Sequence, residues 1–84
     1  MRRADGSWLL DGRLPIEKLV ELLGWRTRPA APADYDTLGG FVMDQLGQVP
    51  AVGQHFTFDG WRFEVVDMDG RRVDRVLAAR LPAG

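Results

Sequence analysis

The sequence predicts an α+β fold in which two helices pack on one face of an antiparallel sheet. Two observations predict it. Apolar residues recur at helical spacing in two segments of the first half, and two Asp-Gly pairs separate β-rich runs in the last third. The 84 residues, 45% of them hydrophobic and 27% charged, are typical of one folded domain with a small core. We therefore expect a single domain over residues 1–84, with its core at about 5–80.

The first part of the chain predicts a short strand followed by a helix. Residues 7–11 read SWLLD, an apolar run that ends at the turn-forming pair Asp11-Gly12, and they are predicted to form the first strand. Pro15 suits the first helical position, because its missing N–H would have no partner there in any case. The apolar face of this helix consists of Ile16, Leu19, Val20 and Leu23. Gly24 is placed to end it in a left-handed conformation.

A second helix is predicted after the connection 26–34, whose prolines and alanines favour an irregular loop. Asp36 or Thr37 can cap this helix, since either side-chain oxygen can accept a hydrogen bond from a free N–H of the first turn. Its apolar face consists of Leu38, Phe41, Val42 and Leu46. Gly39 and Gly40 fall in the first turn, where the missing side chains would let another part of the backbone come into contact. We expect them to serve packing, because the pair lacks the lysine and further glycines of a phosphate-binding loop.

The last third predicts a three-stranded antiparallel meander. Asp59-Gly60 and Asp69-Gly70 each lie between runs rich in aromatic and β-branched residues, and Asp-Gly favours hairpins because both residues tolerate a positive φ. Alternation places Trp61, Phe63 and Val65 on one face and Arg62 and Glu64 on the other. The alternation then slips, which predicts a β-bulge in each of the last two strands. Spacing alone does not specify which strand the first one pairs with.

Composition excludes several classes of function. The formal charge of −1 provides no net field to attract nucleic acid, so we expect no nucleic-acid partner. The absence of cysteine removes disulfides, thiolate nucleophiles and zinc sites with sulfur ligands. The apolar runs are only a few residues long, so we expect no direct membrane insertion by this domain.

Three blocks of sequence together carry a resemblance to a known family. DGSWLLDGRLPIEKLVELLG, DYDTLGGFVMDQLGQVPAVGQ and FTFDGWRFEVVDMDGRRVDRV, in this order, resemble the CorC/HlyC type transporter-associated domain over roughly residues 5 to 80. The resemblance implies a small α+β domain at the extreme C-terminus of a larger membrane protein, after a pair of CBS domains and an integral membrane module. Proteins of this kind are associated with magnesium and cobalt efflux, and some carry a hemolysin label.

The resemblance also implies a role and partners. The domain would modulate ion transport without enzymatic activity, at the cytoplasmic face of the cell membrane. Its partners would be the CBS-domain pair and the membrane module of the same polypeptide, with a homodimer as a further expectation. Residues 1–84 would then be the C-terminal fragment of the larger protein. The proline-rich connection 25–34 departs from the family's commonest pattern, which has a shorter and more acidic link.

The residues themselves offer little chemistry for catalysis. His55 is the only histidine, and Ser7 stands beside a strand with no nucleophile elbow around it. A lone histidine at the start of a strand is more often a surface or half-buried residue than a catalyst. We therefore expect no enzyme and no required cofactor.

A divalent cation is the alternative partner, because Asp67, Asp69 and Asp74 surround a tight turn and hard cations take oxygen ligands. The competing interpretation is that these carboxylates are solvated or paired with Arg71, Arg72 or Arg75, and the turn glycine is in the wrong register for a calcium loop. Asp67 and Asp69 are the candidate metal ligands. The alternative function is therefore a ligand-sensing module that binds a divalent cation or a nucleotide.

Three tryptophans are available to a small core or to an interface. We expect at least one of Trp8, Trp25 and Trp61 to lie in the core, since 84 residues supply little other bulk. Trp25 follows the glycine that ends the first helix, and we predict that it is the exposed one. With the proline-rich loop it would contact a second copy or the CBS pair, because aromatic anchors concentrate binding energy at interfaces.

Overall fold

The strands and helices follow the predicted order. The computed structural model describes residues 6–25 and 36–81. The elements are β1 (Trp8–Asp11), α1 (Ile16–Leu23), α2 (Leu38–Leu46), β2 (His55–Phe58), β3 (Trp61–Asp69) and β4 (Arg72–Arg80). The predicted α+β architecture is confirmed. The loop predicted over 26–34 lies outside the described residues.

The four strands form one antiparallel sheet in the order β1-β4-β3-β2. The last three strands are the predicted meander. β1 adds to the free edge of β4, with registers that run from Trp8 opposite Ala78 to Asp11 opposite Arg75. This pairing joins residues more than sixty positions apart, which is why spacing along the chain did not specify it.

The two hairpins differ in how their turns are built. Asp59 and Gly60 both have positive φ, 49° and 83°, as the predicted Asp-Gly turn requires. In the second hairpin Asp69 pairs with Arg72, so the turn is centred one residue later than predicted. Its first central residue, Gly70, has a φ of 64°, which places the glycine as in a type II′ turn.

Both predicted β-bulges are present in the long hairpin. Between the pairs Val65–Val76 and Asp67–Arg75, β3 advances two residues and β4 only one. Between Asp67–Arg75 and Met68–Val73, β4 advances two residues and β3 one. Each strand therefore contains one extra residue, and the two insertions cancel.

The helix ends agree with the predicted signals, with two corrections. Pro15 is not the first helical residue but the one before it, with φ −59° and ψ 142°. At α2 the cap is Thr37, whose Oγ1 accepts a hydrogen bond from the Gly40 N–H at 3.3 Å. Asp36 contributes its backbone carbonyl instead, which accepts a hydrogen bond from the Ile16 N–H at 2.9 Å. Gly24, with φ 69°, ends α1 as predicted.

The core lies between the helices and one face of the sheet. α2 contacts β4 and β2, and α1 packs beside α2. The buried side chains come from both layers: Leu10, Ile16, Leu19, Leu23, Trp25, Leu38, Phe41, Val42, Trp61, Phe63, Val65, Val73, Val76 and Ala78. Arg62 and Glu64 lie on the opposite face, where their side chains form an ion pair at 2.7 Å. The predicted two-layer arrangement is thus confirmed.

Gly39 is buried at the start of α2, where the backbones of three elements meet. Its N–H donates to the Gly12 carbonyl at 2.8 Å, and the Gly12 N–H donates to the Asp74 carbonyl at 2.8 Å. A Cβ on Gly39 would lie 3.0 Å from the Gly12 oxygen and 3.5 Å from the Val73 Cβ. The packing role predicted for the glycine pair is therefore borne out at Gly39. The neighbouring backbone belongs to the turn after β1 and to β4.

Candidate functional site

A groove of about 330 Å³ lies between the C-terminal end of α1 and the end of the sheet where β1 begins and β4 ends. We call it the tryptophan groove. It is lined by Gly6, Trp8, Glu21, Leu22, Leu23, Gly24, Trp61 and Arg80. Leu22 is 40% exposed and lies beside the half-buried Trp8, so two large apolar side chains border the same space. The groove therefore presents apolar surface to solvent beside two charged side chains.

The strand register brings the two tryptophans to this end of the sheet. Trp8 stands opposite Ala78 and Trp61 opposite Arg80. Trp61 is buried and Trp8 is half-buried. The guanidinium carbon of Arg80 lies 5.9 Å from the centre of the Trp61 ring, within the range of a cation–π interaction. The ring thus holds the Arg80 side chain over the groove.

The two charged side chains that line the groove, Glu21 and Arg80, differ in their ion pairing. Glu21 forms an exposed ion pair with Lys18 at 3.7 Å, one turn earlier on α1. No carboxylate of residues 6–25 or 36–81 lies within 4.0 Å of the Arg80 guanidinium. Arg80 therefore keeps its hydrogen-bond donors available to a partner.

Trp25 is buried, not exposed, and this prediction is wrong. The left-handed Gly24 reverses the chain, and the Trp25 N–H donates to the Val20 carbonyl at 3.1 Å. This geometry turns the indole under the helix, where only 8% of the residue remains exposed. The interface role assigned to Trp25 depended on its exposure, and it stays a prediction without that support.

The buried Trp25 ring belongs to an aromatic cluster. Its centroid lies 5.3 Å from that of Phe58, 6.0 Å from Phe63 and 6.1 Å from Phe41, in tilted or edge-to-face arrangements. Its Nε1–H is buried and has no hydrogen-bond partner within the part of the chain that the structure describes. Trp25 therefore ties the end of α1 to the sheet.

The acidic turn at residues 67–74 contains arginine partners for its carboxylates. Asp69 pairs with Arg72 at 3.3 Å and Asp74 with Arg75 at 3.9 Å. Asp67 stands opposite Arg75 in the strand register. Within residues 6–25 and 36–81, no three His, Asp or Glu side chains are grouped so that they could hold a metal ion together. Asp67 and Asp69 remain predicted ligands, with arginine close by.

The turn after β1 contains another carboxylate, which pairs within the turn itself. The pKa of Asp11 is lowered, chiefly because its carboxylate accepts a hydrogen bond from the Arg13 backbone N–H at 2.7 Å, and also because it bonds the Arg13 side chain. Asp11 thus fixes the turn that contains Gly12 and has a structural role.

Ser7 and His55 lie on opposite edges of the sheet. Ser7 precedes β1 and His55 begins β2, and these are the two outer strands. Three strand spacings, about 14 Å, therefore separate the two strands. The two side chains do not form a nucleophile–base pair.

The sequence analysis did not predict the tryptophan groove, because its lining residues are far apart along the chain. Trp61 stands opposite Arg80 in the same register that the Asp69–Arg72 pair sets at the turn, and Trp8 joins them through the β1–β4 pairing. The signal available in the sequence was Leu22, an apolar residue outside the predicted apolar face of the first helix. Neither helix in the described ranges is long and apolar enough to cross a bilayer.

Comparison with known proteins gives a consistent result. The family model CorC_HlyC, described as a transporter associated domain, matches residues 1–82. The UPF0053 protein sll0260 of Synechocystis is 48% identical over 83 residues, which are 98% of this chain and 18% of that protein. The polyamine export protein of Salmonella typhimurium is 39% identical over 79 residues, which are 94% of this chain and 17% of that protein. The chain thus spans less than a fifth of the length of these curated relatives.

The fold of this chain is also similar to that of solved domains of the same family. One is the transporter associated domain CorC_HlyC of a Xylella fastidiosa Temecula1 hemolysin, in complex with Mg++ and Mn++. It is similar to this chain with a TM-score of 0.85 and 46% identity, and the match covers 98% of this chain and 96% of that one. The corresponding domain from Nitrosomonas europaea matches with a TM-score of 0.83 and 37% identity, over 95% of this chain and 93% of that one.

Proposed function

The chain belongs to the CorC_HlyC family of transporter-associated domains, and from that premise we propose that it is a non-catalytic regulatory domain of a cation-exporting membrane protein. It acts through contacts with other parts of the transporter. A contact of this kind changes transport only if it is stronger in one conformation of the transporter than in another. The domain therefore biases a conformational equilibrium and performs no chemical step.

One observation carries this proposal. Nearly the whole chain aligns with relatives of which it makes up only 17% or 18%. The family model that matches it is described as a transporter associated domain, which favours a contribution made together with the rest of the transporter. The contribution of the domain is then made through its surface.

The cargo we propose is a cation. The relatives at 38% and 39% identity are named polyamine export proteins, and polyamines are multivalent organic cations. The family resemblance points instead to divalent metal ions such as magnesium and cobalt. Both belong to the class of small, strongly charged cations, so a transport assay needs one probe of each kind.

We place the domain at the cytoplasmic face of the membrane, beside a pair of CBS domains in the same polypeptide. This placement follows from the resemblance of residues 5 to 80 to domains that occur there. A homodimer of the domain is a further proposal from the same resemblance.

A second candidate function is direct sensing of a divalent cation. It is favoured by one observation, the Mg++ and Mn++ complex of the similar domain from Xylella fastidiosa Temecula1. In this chain the predicted ligands are Asp67 and Asp69, although Arg72 pairs with the latter. Binding of a nucleotide is the remaining form of this alternative.

Calorimetry separates the second candidate from the first. Mg²⁺ and Mn²⁺ are titrated into the wild-type chain, into Asp67→Ala and into the control Asp44→Ala, which removes an exposed carboxylate on α2. A sensor built on the acidic turn loses its heat of binding in Asp67→Ala only. Equal heats for all three proteins contradict the site.

The regulatory proposal is tested by the size and location of the native protein. An antibody raised against residues 1–84 is used to measure the mass of the native polypeptide in its source cells and its distribution between membrane and soluble fractions. We expect a polypeptide several times this size in the membrane fraction. A soluble polypeptide of about this size would contradict the proposal.

A further inference from the structure

We propose that the tryptophan groove is the surface on which a neighbouring segment of the same polypeptide docks, and that this segment presents an apolar side chain next to a carboxylate. The inference rests on the proposed function, because it requires the domain to be part of a longer protein. It assigns the contact that the regulatory role needs to the residues between α1 and the end of the sheet.

The shape and exposure of the groove support an apolar side chain as its occupant. Trp8 is half-buried and Leu22 is 40% exposed, so apolar surface faces solvent on both sides of a space of about 330 Å³. A volume of that size accommodates one or two side chains. Aromatic residues around such a space supply large contact area at little cost in conformational entropy.

Arg80 determines the polar part of the occupant. Its guanidinium is held 5.9 Å over the Trp61 ring and has no carboxylate within 4.0 Å among the residues that the structure describes. Arginine presents five N–H donors in a planar fork that matches a carboxylate. Glu21 forms an exposed ion pair with Lys18, whereas Arg80 is the charged side chain of the groove without an ion-pair partner among the described residues. An acidic side chain is therefore the complementary partner.

The course of the chain favours an occupant from the same polypeptide. The described fold begins at Gly6, which lines the groove, and ends at Leu81, next to Arg80, which also lines it. More than four fifths of the relatives' length lies outside the matched region. The first described residue therefore lies at the groove and the last one lies next to it, which favours a neighbouring part of the same polypeptide over a separate partner.

Because the docking segment belongs to the same polypeptide, even a weak affinity is enough to keep the groove occupied. A segment joined by a short linker is present at an effective concentration of about 1 mM. A groove with a dissociation constant of about 0.1 mM would then be occupied about 90% of the time. Such a contact is strong enough to be populated and weak enough to be released when the transporter changes conformation.

The absence of cysteine from the chain provides a direct test. Leu22→Cys places a unique thiol of this domain in the groove, and Val52→Cys places one in the segment between α2 and β2, where the residue is 61% exposed. Each variant is made in the 84-residue chain and in the native membrane polypeptide. Labelling by N-ethylmaleimide is followed at the labelled peptide by mass spectrometry.

The proposal predicts slower labelling at the groove only. In the native polypeptide the rate at Leu22→Cys falls about tenfold relative to the 84-residue chain, as 90% occupancy requires, and the rate at Val52→Cys is unchanged. Adding Arg80→Glu to the native polypeptide restores the Leu22→Cys rate, because the carboxylate of the occupant is then repelled. The melting temperature of the 84-residue Arg80→Glu variant confirms that it folds.

Three outcomes overturn the inference. Equal labelling of Leu22→Cys in both proteins shows an open groove and leaves the regulatory proposal standing. Protection that rises with protein concentration, in the 84-residue chain as well, assigns the groove to a second copy. If the native polypeptide is no longer than this chain, no neighbouring segment exists to dock, and the proposed function is contradicted as well. The measured mass distinguishes this outcome from the other two.

Discussion

Replacing Gly12 by alanine is expected to destabilise the fold more than the same change at a glycine whose added Cβ would meet open space. Gly12 lies in the turn after β1, against the first turn of α2 and the backbone of β4. An added Cβ would lie 2.8 Å from the Val73 carbonyl carbon and closer still to its oxygen. Because those atoms belong to the backbone of a paired strand, the turn itself must move.

The cost can be worked out from the contacts that such a movement disturbs. Overpacking of this kind costs about 1–3 kcal/mol. The movement also weakens two hydrogen bonds of 2.8 Å, from the Gly12 N–H to Asp74 and from the Gly39 N–H to Gly12, each of about 1 kcal/mol. Lower entropy of the unfolded alanine chain offsets about 0.4–1 kcal/mol. The net loss is about 3 kcal/mol, or about 12–24 °C in melting temperature for a domain of this size.

The assay is thermal unfolding followed by circular dichroism, with Gly47→Ala as the control. Gly47 is the C-cap of α2, with φ 72°, and an added Cβ there meets open space. Left-handed strain alone costs about 1 kcal/mol, which corresponds to about 4–8 °C. If Gly12→Ala melts as high as Gly47→Ala or higher, the close approach at Gly12 does not exist and the reasoning is refuted.

Three further predictions concern the helix cap, the first turn and the aromatic cluster. Thr37→Ala should lower the free energy of unfolding by about 1 kcal/mol, because the Gly40 N–H loses its acceptor, and Thr37→Ser, which keeps the hydroxyl, should lower it by less; urea unfolding measures both. Asp11 has a lowered pKa, so its ionised carboxylate stabilises the fold above the unfolded pKa of about 3.9, and this contribution is lost as pH falls through the lower folded pKa. The difference in melting temperature between wild type and Asp11→Asn should therefore shrink from neutral to strongly acidic pH, and a constant difference would contradict the assignment. Trp25→Ala should cost about 3–5 kcal/mol by cavity formation, whereas the loss of an exposed tryptophan would hardly change the denaturation midpoint.

Local signals in the sequence were sufficient for the helices and hairpins. The three-and-four spacing around Leu19 and the Asp59-Gly60 pair act over a few residues, so the elements they specify could be predicted without knowledge of the rest of the fold. The bulges could be predicted as well, because they shift the alternation of β3 and β4 in the sequence itself.

Features that depend on contacts between distant segments could not be predicted. The pairing of β1 with β4 and the groove between Trp8 and Trp61 arise from tertiary arrangement. The burial of Trp25 also depends on contacts with a distant segment. The left-handed Gly24 was predicted, but the direction in which it turns the next residue depends on the sheet that receives the indole.

The central claim, that this domain regulates a cation exporter, is tested most directly by removing residues 6–81 from the native polypeptide and measuring efflux. Cells are loaded with Mg²⁺ or with spermidine, and the efflux rate is compared at equal amounts of each protein in the membrane. We expect that transport persists and that its rate changes at least about fivefold, the lower end of typical coupling between sites. Unchanged efflux of both cations at equal membrane abundance would contradict it.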